Sequence, residues 1–246
     1  MPKTKFLSAM TGGIAFFTRI PIKTGEEEFS ALTDNTFVFT VIGAIIGLSV
    51  GIFSSSISSI TFINVELRAV LTIVFLYLLT GFLHLDGLAD LFDGLMANEI
   101  EAMKDTKVGV GALASLVIYL IFLYIAIKNL GDGANLILAF LSAEMLAKIS
   151  MLNLAFFGRS SHVGMARPFI EKTSRKDIVI SYILLVPFFY FFKDFFFFPV
   201  ISVLFADLAI LWVCDRYFGG IGGDVLGAGN EIGRLIALVV IGCMPF

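Results

Sequence analysis

The stretch HLDGLADLFDG, residues 84–94, concentrates side chains able to do chemistry in a chain that is otherwise mostly apolar. Its aspartates, Asp86, Asp90 and Asp93, follow one another at i, i+4 and i+7. At about 100° per residue, this spacing places the three carboxylates within roughly 60° of one another on one helix face. Carboxylates this close repel one another, which favours either protonation or a bound cation.

Two interpretations of this acidic cluster remain, a metal site and a solvated helix end. Anions are stabilised at helix N-termini, so the aspartates could simply favour a helix start. The Asp-Gly pairs at 86–87 and 93–94 favour a metal site, because glycine lets a bulky ligand approach the backbone closely. Oxygen ligands suit Mg²⁺ or Mn²⁺ better than zinc. We therefore predict that Asp86, Asp90 and Asp93 are metal ligands.

His84 opens the same stretch but lies about 160° from Asp86 on an ideal helix. It can join the carboxylates only if the helix breaks between them. Gly81 and Gly87 flank it, and Asp86 could be the N-cap of a new helix. His84 is then either a general base or proton relay, or an ordinary interfacial hydrogen-bonding histidine, and both interpretations stay open.

Two basic segments could bind an anionic substrate. Residues 103–115, MKDTKVGVGALAS, place Asp105 and Lys107 before a glycine-rich helix start, where backbone amides favour phosphate. Residues 157–169 contain Arg159, although arginines in such loops more often set the orientation of a membrane protein. Asp105, Lys107 and Arg159 are therefore candidate substrate-binding residues.

The segment GGIGGDVLGAGNEIGR, residues 219–234, contains seven glycines and Asp224. Residues with so little side chain mark tight turns or a surface against which a large ligand lies. Asp224 is the candidate ligand of this segment, for a metal or for the substrate.

The composition of the whole chain is that of a membrane protein. Of its 246 residues, 58% are hydrophobic and 15% are charged, whereas soluble domains have about 25% charged residues. The net charge of −3 gives no reason to expect nucleic-acid binding.

Apolar runs of about 20 residues predict membrane-spanning helices. They occur at 35–65, 69–83, 108–127, 133–157, 178–192 and 195–214, with a turn at Lys193–Asp194 and a short seventh run at 235–246. We therefore expect an all-α polytopic membrane protein, a bundle of six to seven transmembrane helices. Residues 1–246 would form one integral membrane domain in the lipid bilayer.

The distribution of basic residues predicts the orientation of this bundle. With the N-terminus inside, the inner segments are 1–34, 84–107, 159–177 and 215–234, and they hold thirteen of the seventeen Lys and Arg residues. The outer turns hold three, a strong positive-inside bias. We expect a cytoplasmic-membrane protein with an interfacial segment in 1–34 and cytosolic functional loops at 84–107, 159–177 and 215–234.

Charged residues also occur inside two predicted spans. Glu144 and Lys148 are spaced i, i+4 in the favourable order for an ion pair. Buried charge in a membrane helix suggests function, but a mutual ion pair is the simpler interpretation and is slightly favoured. Asp207 has no obvious local partner, and its role stays open.

Four motifs together resemble the cobalamin synthase family, also called adenosylcobinamide-GDP ribazoletransferase. They are FFTRIPI near the N-terminus, GFLHLDGLADLFDGL, MKDTKVGVGA and GGIGGDVLGAGNEIG near the C-terminus, in this order. The resemblance covers almost the whole chain. It implies a polytopic enzyme that transfers the adenosylcobinamide phosphate moiety of adenosylcobinamide-GDP to α-ribazole or its 5′-phosphate. The products are adenosylcobalamin, or its phosphate, and GMP.

The resemblance also implies Mg²⁺ as the cofactor, held by Asp86, Asp90 and Asp93. His84 or a carboxylate such as Asp86 would be the base. Arg159 and Lys107 would neutralise phosphate charge, and Asp105 and Asp224 would complete substrate binding. A homo-oligomer, or association with other enzymes of the pathway, is left open.

Two other functions are compatible with parts of the sequence. CDP-alcohol phosphotransferases carry D-x-x-D-G-x-x-A-R, and Asp90, Asp93, Gly94 and Ala97 match its opening. Asn98 stands where that motif has Arg, and the two later aspartates of that family are absent. A divalent cation transporter is the second alternative, although transporters more often place polar groups at the bilayer midplane.

Overall fold

The computed structural model describes residues 3–97, 108–161 and 164–244, and within them the secondary structure is helical apart from turns and one isolated bridge. The helices are α1 (Lys3–Phe17), α2 (Glu26–Thr33), α3 (Val38–Ser58), α4 (Val65–Thr80), α5 (Leu83–Ala97), α6 (Val110–Asn129), α7 (Ala134–Phe157), α8 (Arg167–Lys172), α9 (Arg175–Ile183), α10 (Phe188–Phe192), α11 (Phe197–Phe218) and α12 (Gly223–Gly242). The expected all-α fold class is confirmed.

Five helices of the described residues are long and apolar enough to cross a membrane. They are α3, α6, α7, the stretch Phe188–Phe218 and α12. The pair α4 and α5 passes the same test only if both are counted together, because the chain bends by 97° between them. The protein is thus polytopic, with five such helices or up to six, and the upper count agrees with the lower end of the six to seven predicted.

Helix α7 is the centre of the bundle, and glycines let α3 approach it closely. Gly43, Gly47 and Gly51 recur every four residues on α3. A β-carbon at Gly43 would lie 2.6 Å from the carbonyl oxygen of Glu144, and one at Gly51 would lie 2.7 Å from the α-carbon of Ile137. Small residues at this spacing are the usual means by which membrane helices pack.

The predicted hairpin of two spans at 178–192 and 195–214 is only half formed. The regular helix is interrupted at Lys193, which has a positive φ of 52°. The ring centroids of Phe189 and Phe197 are 4.6 Å apart, which residues eight apart on one straight helix cannot achieve. However, α9, a turn and the five-residue α10 replace the first span, because the apolar run is interrupted at Pro187.

Helix α12 begins inside the predicted loop at 215–234. The connection between α11 and α12 is only residues 219–222, and the apolar segment expected to be too short is the second half of a 20-residue helix. The glycines of this segment pack against α7: a β-carbon on Gly233 would lie 2.9 Å from that of Ser150. Glycine content therefore signalled close helix contact here, and not only a loop.

The connections of the bundle collect at two ends, as the alternation of predicted inner and outer segments requires. At one end Lys172 donates to Asp34 at 2.7 Å, and the Arg19 N–H donates to the Leu79 carbonyl at 2.7 Å. At the other end Arg68 pairs with Asp132. The candidate residues that the structure describes are close to the first end.

Candidate active site

Helix α5 owes its direction to Gly81. This residue has a φ of 73°, and its N–H donates to the Tyr77 carbonyl at 2.8 Å, closing α4. The left-handed conformation favours glycine, since a β-carbon there is sterically costly. The chain then turns by 97° and α5 begins at Leu83. The break that was expected between Gly81 and Gly87 thus lies before His84, and Asp86 is in the first turn of α5 instead of being its N-cap.

The three aspartates of HLDGLADLFDG lie on one uninterrupted helix, as their spacing predicted. Asp86 is exposed, while Asp90 and Asp93 are half-buried. His84 is on the same helix but is buried, with only 6% of its surface exposed. No break separates His84 from the aspartates, and His84 is more buried than any of the three.

Asp93 caps the helix that follows the acidic stretch. The N–H of Gly109 donates to its Oδ2 at 2.7 Å, and the N–H of Ala112 donates to its Oδ1 at 2.7 Å. A β-carbon at Gly111 would lie 3.0 Å from Oδ1, so glycine allows this approach. The glycine-rich helix start therefore holds an anion, but that anion is the Asp93 carboxylate. Each oxygen retains a lone pair, and Asp93 as a metal ligand stays a prediction.

A close crossing of α5 and α12 brings Asp224 to the acidic cluster. A β-carbon on Gly87 would lie 2.7 Å from the Asp224 carbonyl oxygen, and one on Gly227 would lie 3.2 Å from the α-carbon of His84. The ionised carboxylate of Asp90 is repelled by those of Asp86, Asp224 and Asp93. Four carboxylates from two helices thus contribute negative charge to one region of the protein.

The donors of this region fit a magnesium ion that is only partly coordinated by protein. Within residues 3–97, 108–161 and 164–244, no three His, Cys, Asp or Glu side chains converge closely enough to enclose a metal. Mg²⁺ does not require such a cage, since it usually takes one or two carboxylates together with water and substrate phosphates. The mutually repelling oxygens of Asp86 and Asp90 are donors of that kind.

His84 is held by an aromatic contact and retains an unsatisfied nitrogen. Its imidazole stacks on the ring of Phe17, with centroids 5.7 Å apart and planes 30° from parallel. Its Nε2 is buried and has no hydrogen-bond partner among the described residues. An unpaired buried nitrogen is costly unless a ligand or water completes it.

The His84 side chain lines a cavity of about 230 Å³ between α1, α5, α8 and α12. Asp224 lines the same cavity, together with Ser160 and Arg167. Asp224 therefore belongs both to the cavity and to the acidic cluster. The structure brings His84 and the three metal-ligand candidates to the same crossing, although on different faces of α5.

Arg159 is held near the start of α12 by its backbone. The Ile221 N–H donates to the Arg159 carbonyl at 2.7 Å, and Ser161 returns a hydrogen bond to Ile221 at 3.0 Å. The side chain of Arg159 is exposed and lines a groove that Arg167 also borders. Asp105 and Lys107, the other predicted substrate-binding residues, lie outside the described residues.

The predicted ion pair between Glu144 and Lys148 is wrong. The guanidinium of Arg234 on α12 binds both Glu144 and Glu231, whereas the Lys148 ammonium donates to Asn230 at 2.5 Å and lies 4.5 Å from the centroid of Phe17. All these charged side chains are buried. Glu144 and Lys148 were predicted to pair with each other because the sequence could not show that α12 enters the bundle and supplies their partners.

Two further residues of this network escaped sequence reasoning, and the partners of Asp207 could not be read from the sequence. The hydroxyl groups of Tyr77 and Tyr119 donate to Glu231 at 2.9 and 2.5 Å. Asp207 accepts from Ser150 at 2.5 Å and from Asn153 at 2.8 Å, so its open role is resolved as a buried, hydrogen-bonded carboxylate. Tyrosines in apolar helices gave no signal that separates them from ordinary packing residues.

Comparison with known proteins finds one family over almost the whole chain. A family model described as cobalamin-5-phosphate synthase matches residues 9–242. A relative from Methanococcoides burtonii named adenosylcobinamide-GDP ribazoletransferase is 34% identical over 96% of this chain and 92% of its own length. A protein of the same name from Methanocella arvoryzae is 31% identical over 97% of this chain and 96% of its own length. Another from Clostridium tetani is 31% identical over 92% of this chain and 93% of its own length. No solved structure matches the chain.

Proposed function

The chain belongs to the cobalamin-5-phosphate synthase family, and from that premise we propose that it transfers the adenosylcobinamide phosphate moiety of adenosylcobinamide-GDP to α-ribazole or its 5′-phosphate. Membership makes it a transferase of cobalamin biosynthesis. In the proposed step an acceptor oxygen attacks the phosphorus next to cobinamide. The bond from that phosphorus to the bridging oxygen breaks, and GMP leaves with this oxygen.

One observation supports this chemistry above the others. The crossing of α5 and α12 gathers Asp86, Asp90 and Asp224 at the edge of a cavity that His84 lines. A diphosphate cannot approach such a group of carboxylates without a cation between them. Asp86 and Asp90 would hold Mg²⁺, with Asp93 as the third predicted ligand. Bound there, Mg²⁺ would neutralise phosphate charge and polarise the phosphorus–oxygen bonds.

His84 is the residue proposed to handle the proton of the attacking hydroxyl. Its Nε2 has no partner among the described residues and its ring is fixed against Phe17. His84 lines the cavity, and a neutral imidazole there would accept a proton from a hydroxyl bound beside it. Asp86 is the alternative base, but it is exposed and is already a proposed metal ligand.

The basic residues near the site are proposed to bind the phosphate of the leaving GMP and the phosphate that is transferred with adenosylcobinamide. Arg159 presents an exposed guanidinium beside the start of α12, and a planar guanidinium can bind phosphate oxygens in pairs. Lys107 and Asp105 would contribute from the segment between α5 and α6. Asp224 would orient the acceptor, since it borders both the cavity and Asp90.

We further propose that this end of the bundle faces the cytosol in the cytoplasmic membrane. The bias of basic residues toward the predicted inner segments supports this orientation. In a Cys243→Ser background, which keeps only the buried Cys214, one added cysteine would replace either Glu27 near the site end or Phe62 in the turn after α3, both of which are exposed. An impermeant maleimide should label only the cysteine at 62 in intact cells. Labelling of the cysteine at 27 instead would reverse the orientation.

The reaction itself is the test of the proposed function. Purified protein in lipid nanodiscs would receive adenosylcobinamide-GDP and either α-ribazole or its 5′-phosphate, with GMP release measured. We expect release that requires both substrates and Mg²⁺, stops on chelation and returns when Mg²⁺ is added back. The absence of GMP with both acceptors would refute the proposal.

A further inference from the structure

The cavity beside His84 has two chemically different sides. One side is aromatic and comes from α1, α3 and α8, with Phe16, Phe39 and Phe169 as its members. The rings of Phe16 and Phe39 lie 5.4 and 5.2 Å from that of Phe169, so these residues form one rigid apolar wall. The other side is the crossing of α5 and α12, which contributes His84 and Asp224.

The start of α12 leaves open space in this cavity. Gly222 and Gly223 both line it. A β-carbon on Gly223 would meet only that of Ala166, at an ordinary contact distance of 3.6 Å. The glycine at 223 is therefore not required by packing, unlike Gly87 and Gly227, whose β-carbons would contact the facing backbone. Its missing side chain enlarges the cavity.

The volume and the polar groups restrict what can enter. At about 230 Å³ the cavity is smaller than a usual small-molecule site, so it holds part of a substrate and not a macrocycle. His84 and Asp224 place polar side chains on one side of the cavity only. A ligand with a flat apolar ring at one end and a hydroxyl group at the other satisfies both sides.

We propose that this cavity binds the acceptor nucleoside, with its fused apolar base against Phe169 and its ribose toward His84 and Asp224. The assignment rests on the proposed function, because the acceptor there is a nucleoside with a benzimidazole base. Asp224 also borders the carboxylate cluster through Asp90, so the ribose end faces the place where the diphosphate is held.

The same geometry selects among nucleosides. A purine or pyrimidine base would bring its polar edge against Phe39, Phe169 and Met151, which offer no hydrogen bonds from their side chains. Buried polar groups left without partners are strongly rejected, and a benzimidazole riboside has a single ring nitrogen acceptor where the bases of purine and pyrimidine nucleosides have several polar groups. Met151, buried on α7, is thus a specificity-determining residue for the base.

The test compares the two substrates in a variant that fills the cavity. Gly223→Val adds a branched side chain where only Ala166 is near, and Gly223→Ala is the smaller matched change. We expect Gly223→Val to raise KM for α-ribazole roughly tenfold or more, Gly223→Ala to raise it less, and KM for adenosylcobinamide-GDP to stay within about twofold. Equilibrium binding of α-ribazole without the donor should weaken in the same order.

A second variant tests the selection of the base. Met151→Gln keeps an unbranched side chain of similar length and adds hydrogen-bonding groups to the wall. We expect kcat/KM for α-ribazole, divided by kcat/KM for adenosine as the acceptor, to be lower in Met151→Gln than in the wild type. Thermal unfolding would verify that Gly223→Val and Met151→Gln fold.

The results separate this inference from the proposed function. If wild-type protein releases GMP but Gly223→Val raises KM only for the donor, the cavity belongs to the donor and the inference is overturned while the function stands. If α-ribazole binds, and Gly223→Val weakens that binding, but no GMP forms, the subsite stands and the reaction is wrong. Unchanged constants for both substrates in both variants would overturn the inference.

Discussion

Gly87 lies so close to Asp224 that a β-carbon on the glycine would be 2.7 Å from the aspartate's carbonyl oxygen. This contact sets the separation of α5 and α12 at the point where their carboxylates meet. Gly87 has no side chain, so α12 can lie directly against α5 at this residue. The carboxylates of Asp86 and Asp90 on α5 therefore approach Asp224 on α12.

The first prediction concerns Gly87→Ala. The added methyl group must push α12 away from α5, and overpacking of this kind costs about 1–3 kcal/mol. The carboxylates of the two helices then separate, and small displacements of catalytic groups reduce turnover by up to about a hundredfold. GMP release by the folded variant measures this effect.

Gly242→Ala is the matched control for that substitution. A β-carbon there would lie 3.6 Å from the nearest atom, the Ala126 carbonyl oxygen, which is an ordinary contact. Its activity should be close to that of the wild type. Equal activity of the two variants would show that the crossing does not position the site.

The second prediction concerns the metal. Asp90→Asn removes one charge from the cluster that Asp86, Asp93 and Asp224 share with Asp90. If Asp90 holds Mg²⁺, the Mg²⁺ concentration for half-maximal GMP release should rise about tenfold or more, since even supporting residues of metal sites change affinity by 10–100-fold.

The control for Asp90→Asn is Asp194→Asn, which removes an equal charge from an exposed position just after α10. Its Mg²⁺ dependence should match that of the wild type. An unchanged Mg²⁺ dependence in Asp90→Asn as well would remove Asp90 from the metal site.

The third prediction separates two roles of Asp93. Its carboxylate accepts two backbone hydrogen bonds from the start of α6. Asp93→Ala should lower the free energy of unfolding by about 1 kcal/mol, the usual cost of losing a cap. Asp93→Asn keeps an acceptor oxygen and should restore much of that stability.

The Mg²⁺ dependence of Asp93→Asn then decides whether the cap is also a metal ligand. A shift like that of Asp90→Asn would support three aspartate ligands. A wild-type dependence, together with restored stability, would leave Asp93 with the structural role alone.

The fourth prediction concerns the buried network. Arg234→Met leaves Glu144 and Glu231 without their shared guanidinium, and breaking a buried ion pair costs about 3–5 kcal/mol. The protein should unfold at a markedly lower temperature in detergent. Glu66→Gln, which breaks an exposed pair with Lys128, should change stability by only about 0–1 kcal/mol. Similar losses in both variants would contradict the view that burial makes Arg234 essential.

Sequence patterns predicted the elements whose signal is local. The apolar runs located α3, α6 and α7, and the spacing of Asp86, Asp90 and Asp93 correctly predicted one helix. Local patterns failed where a distant contact decides the structure. Glycine has a low helix propensity, so the local sequence of residues 223–234 does not favour a helix. These residues form one because Gly229 and Gly233 pack closely against α7, and this packing stabilises the helix.

The candidate site was predictable in its acidic part and not in its apolar part. Aspartates in an apolar chain are conspicuous because burying them is costly, so they mark a site from sequence alone. Phe16, Phe169 and Met151 line the cavity from three helices, and such residues occur throughout this chain. Only the packing of α1, α7 and α8 distinguishes them from residues that contact lipid.

The distribution of charge between α7 and α12 has a consequence for biogenesis. Glu144 and Lys148 leave the ribosome long before their partners Arg234 and Asn230, which are more than 80 residues later in the chain. Until α12 is synthesised, α7 has charges that are expensive in lipid. Stable insertion of α7 therefore has to wait for α12, or requires a chaperone or translocon to shelter it, and a ribosome stalled before residue 230 would hold α7 without its partners.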